Sequence, residues 1–281
     1  MDIVQSTLIA NEVELQARLN ACQNSLSTDA PLPVELYSNR PDQQLFVVRD
    51  DYLCGGTKSR VVYPFLKENA QYQEYVYVSP WYGGAQIALP LLLKRLDQEM
   101  PSSNGPRRAI IVIDQYPVGA VDPKWRLPPF ALIGEQLGAT FVQIPHHKDK
   151  FKFAEEYARA NRGLLLRPGF DYPEVVHEIA RLGRELQARF GHFDECWCAT
   201  GSGTLIRGLQ LSELADSYHA VCIFDYCPDV GKAEPIVHWQ GHNEVVPFNE
   251  APPYRSALHY DAKLWSYLRA RPGKILVWNV I

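Results

Sequence analysis

Lys58 follows a glycine pair, separated from it by a single threonine, in the run Arg49-Asp50-Asp51-Tyr52-Leu53-Cys54-Gly55-Gly56-Thr57-Lys58-Ser59-Arg60. Adjacent glycines accept positive φ angles and let a bound group approach the backbone closely. Ser59 through Leu66 then carries apolar residues at near-helical spacing, so the lysine is expected at a helix entrance. Three readings fit a lysine held there. A phosphate-gripping P-loop needs Gly-Lys-Ser/Thr behind an earlier glycine. Thr57 precedes Lys58 and the motif's first position holds no glycine, which sets that reading aside. A lysine that forms a Schiff base with an aldehyde cofactor needs its amine beside a phosphate site and partly shielded from water. The third reading is an ordinary solvated lysine, and this stretch alone does not separate the last two.

A second stretch bears on the choice. Thr200-Gly201-Ser202-Gly203-Thr204 follows the strand-like Cys196-Trp197-Cys198-Ala199 and precedes Leu205-Ile206-Arg207-Gly208-Leu209, which reads as a helix start. Strand, glycine-serine turn and helix entrance together make an anion cradle, because backbone N–H groups and the positive end of a helix converge on one spot. Ser202 and Thr204 add hydroxyl donors. The plain alternative is a strand-to-helix turn without a ligand. A third turn of the same kind, Ser79-Pro80-Trp81-Tyr82-Gly83-Gly84-Ala85-Gln86, suits a carboxylate or oxyanion, while Trp81 and Tyr82 read equally well as core aromatics.

On these residues the chain resembles the pyridoxal-phosphate enzymes of the tryptophan-synthase-β type (fold type II), most closely the branch of D-cysteine desulfhydrase and 1-aminocyclopropane-1-carboxylate deaminase. In that branch an Arg-Asp-Asp opening leads into a Gly-Gly-Asn-Lys turn, as Arg49-Asp50-Asp51 leads here into Gly55-Gly56-Thr57-Lys58. The glycine-rich phosphate loop is similar to Thr200 through Thr204, and a Pro-Val-Tyr turn before a helix is similar to Pro252-Pro253-Tyr254. The likeness runs from about Arg49 to the end. It implies pyridoxal 5'-phosphate as cofactor, Lys58 as the Schiff-base lysine, and Thr200, Gly201, Ser202, Gly203 and Thr204 around the phosphate. It further implies Tyr254 as a catalytic tyrosine, Ser79, Tyr82, Gly83, Gly84 and Gln86 as substrate-facing, and a homodimer.

Three departures matter. Thr57 stands where asparagine is usual, and Tyr82-Gly83-Gly84 replaces a Ser-Asn-His turn that meets substrate. The architecture is therefore expected to carry over while the substrate does not. Relatives continue past the final strand through a Thr-Gly-Gly turn and a helix, so a site that is more open, or closed by a partner subunit, is expected. If Tyr254 aligns with the family's tyrosine, Arg255 falls near the cofactor's ring nitrogen, where a cation would weaken the electron sink; an outward-pointing Arg255 is the alternative.

A chain of 281 residues with 46% hydrophobic and 21% charged residues is ordinary for a globular protein with a real core. A net charge of −4 gives no general pull toward nucleic acid or anionic membranes. No membrane span or signal peptide is read, and the six cysteines look scattered, so a reducing cytoplasm is the expectation.

The elements that position the three turns follow from period and punctuation. Strands are expected at Leu45–Val48, Tyr75–Val78, Ala109–Ile113, Phe141–Ile144, Leu164–Leu166, Cys196–Ala199, Ala220–Phe224 and Lys274–Trp278. Helices are expected over Phe130–Ala139, Phe151–Asn161, Pro173–Phe190 and Asp261–Leu268. Residues 1 to about 44 read as a leader with a helical stretch at Asn11–Leu19, and Tyr116–Pro129 as a long loop over a site. Strands alternating with helices give βαβ units, a mostly parallel sheet and ligands at the strands' carboxyl ends, where all three turns fall. The expected fold class is α/β, and the resemblance implies the tryptophan-synthase-β-like form of it, two three-layer αβα domains with mostly parallel sheets. The larger domain is expected from 1–71 and 167–281 and the smaller from 72–166.

Other constellations are weaker. His238 and His242 are four apart, but Gly241 weakens a helix there and no zincin glutamate follows, so no metal is assigned. Cys196 and Cys198 alternate on a buried strand as small core residues, and Gly201-Ser202-Gly203 lacks the Gly-x-Ser-x-Gly of a serine hydrolase. The expected function is a pyridoxal-phosphate lyase or deaminase acting on an amino acid or related amine. Its rivals are such an enzyme acting on an amino acid attached to a carrier or modified nucleobase, and a fold relative that binds without catalysis.

Overall fold

A computed structural model describes residues 19–20, 22, 30–115, 127, 129–224, 227–237 and 244–280. The expected helix at 11–19 and loop at 116–129 therefore lie largely outside the described residues, and His238 and His242 lie wholly outside them. The chain divides into two compact units, 1–28 with 54–168 and 29–53 with 169–281.

The first unit is built on four parallel strands in the order β5-β4-β3-β6: β3 (Glu74–Val78), β4 (Arg108–Asp114), β5 (Thr140–Ile144) and β6 (Leu164–Leu166). All five residues of β3 are buried, which is why it reads as a continuous apolar run and not as an alternation. Helix α5 (Lys150–Asn161) sets Ala154 and Ala158 against Val76, Val78, Ile110 and Val112; the small side chains let it lie close. Asp149 caps it, accepting from the Phe151 and Lys152 N–H groups. Also in this unit are α1 (Thr57–Val61), α2 (Tyr63–Glu68), α3 (Ala85–Glu99) and α4 (Pro129–Gln136). Residues 54–71, expected with the other domain, group here because α1 and α2 pack on α3.

The second unit is a six-stranded sheet in the order β1-β2-β10-β7-β8-β9. Its members are β1 (Val34–Arg40), β2 (Gln43–Arg49), β7 (Phe193–Thr200), β8 (Ala215–Cys222), β9 (Glu234–Val237) and β10 (Gly273–Asn279). Only the β1–β2 pair is antiparallel. One sheet face buries Leu45, Val47, Trp197, Ala199, Val221, Ile275 and Val277 under Tyr254, Leu264 and Leu268. Helices α6 (Pro173–Phe190) and α7 (Thr204–Gln210) pack on each other, and α8 (Trp265–Leu268) follows a 3-10 turn at Asp261–Leu264. On β2, Phe46 meets Phe190 and Phe193, each ring centroid 5.5 Å away.

The structure corrects two stretches. Val34–Arg40, read as part of a leader, is the outer strand of a hairpin turned at Pro41-Asp42, with a register shift between Leu36 and Ser38. Glu234–Val237, which lies outside the strands expected from the sequence, pairs parallel to β8 as the opposite edge, with Pro235 inside it.

Candidate functional site

In the first unit the lysine turn is shaped by its glycines. Gly55 and Gly56 hold φ values of 82° and 65°, and α1 begins at Thr57, so Lys58 occupies its first turn. A Cβ on Gly55 would stand 2.8 Å from both Cα and Cβ of Ala88, so this position demands glycine for space as well as for φ. The turn is closed by the Ser59 hydroxyl donating to the Cys54 carbonyl and by Ser59 N–H donating to Gly56 O at 3.0 Å. Lys58 itself is half-buried.

Ala88 belongs to α3, the helix that grows out of the Ser79–Gly84 turn, so two of the three predicted turns are neighbours within one unit. Their side chains divide into two groups. Ser79 and Gln86 are buried, and Gln86 Nε2 lies 3.1 Å from Ser79 Oγ, 2.6 Å from Pro80 O and 3.2 Å from Trp81 O. These residues brace the turn from inside. Gln86 Oε1 has no hydrogen-bond partner among the described residues. Trp81, Tyr82 and Gly83 are half-buried and Gly84 is buried at the entrance of α3. Trp81 Nε1 donates to Asp114 O at 3.1 Å and its ring meets His146, while Tyr82 meets Phe130 edge-on at 6.4 Å.

The second unit carries the Thr200–Thr204 loop between β7 and α7. Gly203 N–H donates to Thr200 Oγ1 at 3.0 Å, and Ser202 Oγ lies 3.0 Å from Thr204 Oγ1. The Gly201 and Ser202 N–H groups carry no hydrogen bond among the described residues. Gly203 has φ 80°, and a Cβ there would run into the Asp229 carbonyl; a Cβ on Gly201 would come within 2.9 Å of the Phe224 ring. Gly169, with φ 69°, is packed so tightly on Ser202 that a side chain would collide with its hydroxyl. Two bare amides, two adjacent hydroxyls and a backbone too crowded for side chains fit a phosphate group. Sequence reading missed Gly169, although Pro168-Gly169 is a turn signal.

The same unit explains the Arg49-Asp50-Asp51 opening. Arg49 is almost wholly buried; its Nε and Nη2 each donate to Asp51 at 2.8 Å, and Nη1 donates to Glu35 at 2.5 Å and to Tyr37 at 2.6 Å. The Tyr52 ring stacks on the guanidinium at 4.2 Å and its hydroxyl donates to Glu35. The Tyr37, Tyr52 and Arg49 donors hold the Glu35 carboxyl below the usual carboxylate range. Asp50 accepts from Trp278 Nε1 at 3.1 Å, which ties the end of β2 to the end of β10.

Tyr254 lies in the apolar core of this unit, its ring 4.6 Å from Tyr37, and burial pushes its phenol far up. Arg255 is exposed, the outward alternative. Ser256 Oγ donates to Asn279 Oδ1 at 2.8 Å and Asn279 Nδ2 to Arg255 O at 3.0 Å, which pins this segment to β10. Cys196 and Cys198 are buried in β7 with thiols pushed up by burial, as core residues would be. Among the described residues no group of three His, Cys, Asp or Glu could hold a metal ion, and no helix is long and apolar enough to cross a membrane. The other four cysteines, which look scattered in sequence, stand in pairs: Cys22 with Cys54 and Cys222 with Cys227.

No protein-family model and no curated protein sequence matches the chain. Solved structures do. An ACC deaminase homologue superposes with a TM-score of 0.66 at 15% identity, over 91% of this chain and 93% of that one. Threonine deaminase isoform 2 from Solanum lycopersicum, in its processed form, gives 0.62 at 15% identity over 97% and 85%. A pyridoxal 5'-phosphate-dependent aspartate racemase gives 0.52 at 14% identity over 94% and 78%. The fold is that of the fold-type II pyridoxal-phosphate enzymes. Within that fold the lysine turn sits on α3 of the first unit, and the hydroxyl-bearing loop ends β7 of the second.

Proposed function

We propose that the chain is a pyridoxal-phosphate-dependent lyase or deaminase acting on an amino acid or related amine. The observation that carries the proposal is Lys58 in the first turn of α1, behind two positive-φ glycines pressed on α3, in a chain with the fold-type II architecture. Pyridoxal phosphate, when bound, supplies a ring that takes up the electron pair released at the amine-bearing carbon. The Lys58 amine would hold the cofactor's aldehyde and would move a proton at the substrate's α carbon or its neighbour. Thr200 through Thr204 would hold the phosphate through the Gly201 and Ser202 amides and the Ser202 and Thr204 hydroxyls. Gly83, Gly84 and Tyr82 would face the substrate, with Ser79 and Gln86 keeping their turn in shape. Tyr254, buried beside Tyr37, would position the Pro252–Ala257 segment. A homodimer in the cytoplasm belongs to the same proposal.

A second reading has one observation in its favour. The half-buried Trp81, Tyr82 and Gly83 occupy the turn that bears Ser-Asn-His in the resembling branch, which supports an amino acid attached to a larger carrier or modified nucleobase as the substrate.

The test is to add pyridoxal phosphate, reduce with borohydride and map the peptides by mass spectrometry. Cofactor mass on Lys58, absent from Lys58→Ala, is the expected result; its absence from the wild type overturns the reading. Turnover is then screened with free D- and L-amino acids for ammonia, sulfide or keto-acid release. No turnover of any of them by a cofactor-loaded protein favours the carrier-attached substrate.

A further inference from the structure

The head of the lysine turn is also one half of a cysteine pair. Cys54 directly precedes Gly55, and its carbonyl accepts the Ser59 hydroxyl that closes the turn around Lys58. Cys22, thirty-two residues earlier, lies with its Cα 4.9 Å from that of Cys54, inside the range that a disulfide spans without backbone movement. Both residues belong to the first unit. Cys22 is buried in helical backbone, whereas Cys54 is half-buried. The Gly55–Gly56 pair between Cys54 and α1 has the widest backbone freedom of any dipeptide, so the turn's shape depends on what anchors its ends. At the far end α1 is fixed by its packing on α3; at the near end one anchor is the bond to Cys22.

We infer that Cys22 and Cys54 form a reversible thiol–disulfide site that sets the order of the backbone carrying Lys58. In the cytoplasm proposed above, protein disulfides would be chiefly transient and redox-sensing, which would make the thiol form the resting one there. The chemistry is exchange with a small-molecule disulfide. The Cys54 thiolate, the less buried of the two, attacks one sulfur, forming a mixed disulfide and releasing one small thiol. The Cys22 thiolate then attacks the Cys54 sulfur and releases the second. Two electrons pass from the cysteine pair to the small disulfide, whose two sulfurs leave as thiols, and a small dithiol reverses both steps. Cys196 and Cys198 do not compete, being fully buried with thiols raised by desolvation. The site and its effect on the turn stand on the geometry alone; an effect on cofactor rests on the function proposed above.

The experiment equilibrates cofactor-free protein with oxidised or reduced glutathione. Differential alkylation and peptide mass spectrometry report the Cys22–Cys54 linkage separately from Cys222–Cys227. Hydrogen exchange of peptides covering 54–61 then reports the turn. The expected result is a Cys22–Cys54 linkage under oxidised glutathione and amide exchange over 54–61 slower by on the order of tenfold than in the reduced form. Cys22→Ser should exchange like the reduced wild type under both conditions. Free thiols at both positions under oxidised glutathione, or equal exchange in the two forms, overturns the inference, and because the comparison is made within the wild type it survives a variant that fails to fold. Pyridoxal phosphate is titrated into both forms as a separate arm. Weaker binding by the reduced form is expected, and equal binding overturns the link to cofactor. Failure of both forms to bind counts against the proposed function while the exchange data still decide the thiol site.

Discussion

Replacing Arg49 by methionine removes a guanidinium around which the end of β2 is organised. Arg49 is 2% exposed and the Asp51 side chain 0%, so the pair at 2.8 Å has no water to fall back on. Removing one partner of such a pair leaves an uncompensated buried charge, which costs about 3–5 kcal/mol. Glu35 loses the same partner, but its side chain is 40% exposed and turns to solvent, adding less than about 1 kcal/mol. The expected loss is therefore about 4 kcal/mol, a large part of the roughly 5–15 kcal/mol that holds a domain. Urea unfolding checks it, followed by circular dichroism and by the fluorescence of Trp197 and Trp278, both buried in the same unit. With a slope of about 2 kcal/mol/M the midpoint falls by roughly 2 M. Arg49→Met combined with Asp51→Asn should recover at least about half of the loss, because the stranded charge is gone, whereas Arg49→Lys should recover less, a single ammonium being unable to serve Asp51 and Glu35 together. A midpoint shift below about 0.5 M, or no recovery in the double variant, would refute the reasoning.

Three further outcomes follow from the site and its supports. Gln86→Leu strips the donor from the Pro80 and Trp81 carbonyls and should cost about 1–3 kcal/mol, with faster hydrogen exchange over 79–86. Gly203→Ala forces a side chain to φ 80° against the Asp229 backbone carbonyl, so stability should fall by at least about 1–2 kcal/mol in urea unfolding, and, on the function proposed above, affinity for pyridoxal phosphate should fall with it. His219, stacked on Trp197 at 4.1 Å, has its pKa lowered from 6.5 by burial, opposed by Glu195 and Glu234 and aided by Arg271. Its folded pKa lies below its unfolded one, so its contribution is present above about pH 6.5 and is lost as pH falls through the folded value. Thermal midpoints measured from pH 8 to 5 should drop less steeply for His219→Phe than for the wild type.

Much of this arrangement could be read from residue order. β3, β4 and β10 are apolar runs bounded by polar or glycine residues, and Pro173 with Gly191 frames α6, so buried parallel strands and a long amphipathic helix announce themselves. β1 hid because its inward period is broken between Leu36 and Ser38 and because Pro31 and Pro33 precede it; the Pro41-Asp42 turn was the available signal. β9 hid because it is four residues long and contains a proline. In the lysine turn of the first unit and the Thr200–Thr204 loop of the second, the glycines were legible because positive φ and close approach leave a mark on residue type. What Ser79 and Gln86 do was not, since a polar residue in a turn can brace it or face outward and the sequence is the same either way. Nor could spacing give the Cys22–Cys54 pairing, which depends on chain segments thirty-two residues apart meeting in space.

The two margins of the six-stranded sheet have a bearing on how copies of this chain can meet. Among the described residues one margin is β1, where the irregularity after Leu36 interrupts the outward row of donors and acceptors; the other is β9, where Pro235 offers no N–H. Each is a poor template for another strand, so the sheet does not invite fibrous extension, and a stable pair of subunits would be cemented by helical or loop surfaces instead.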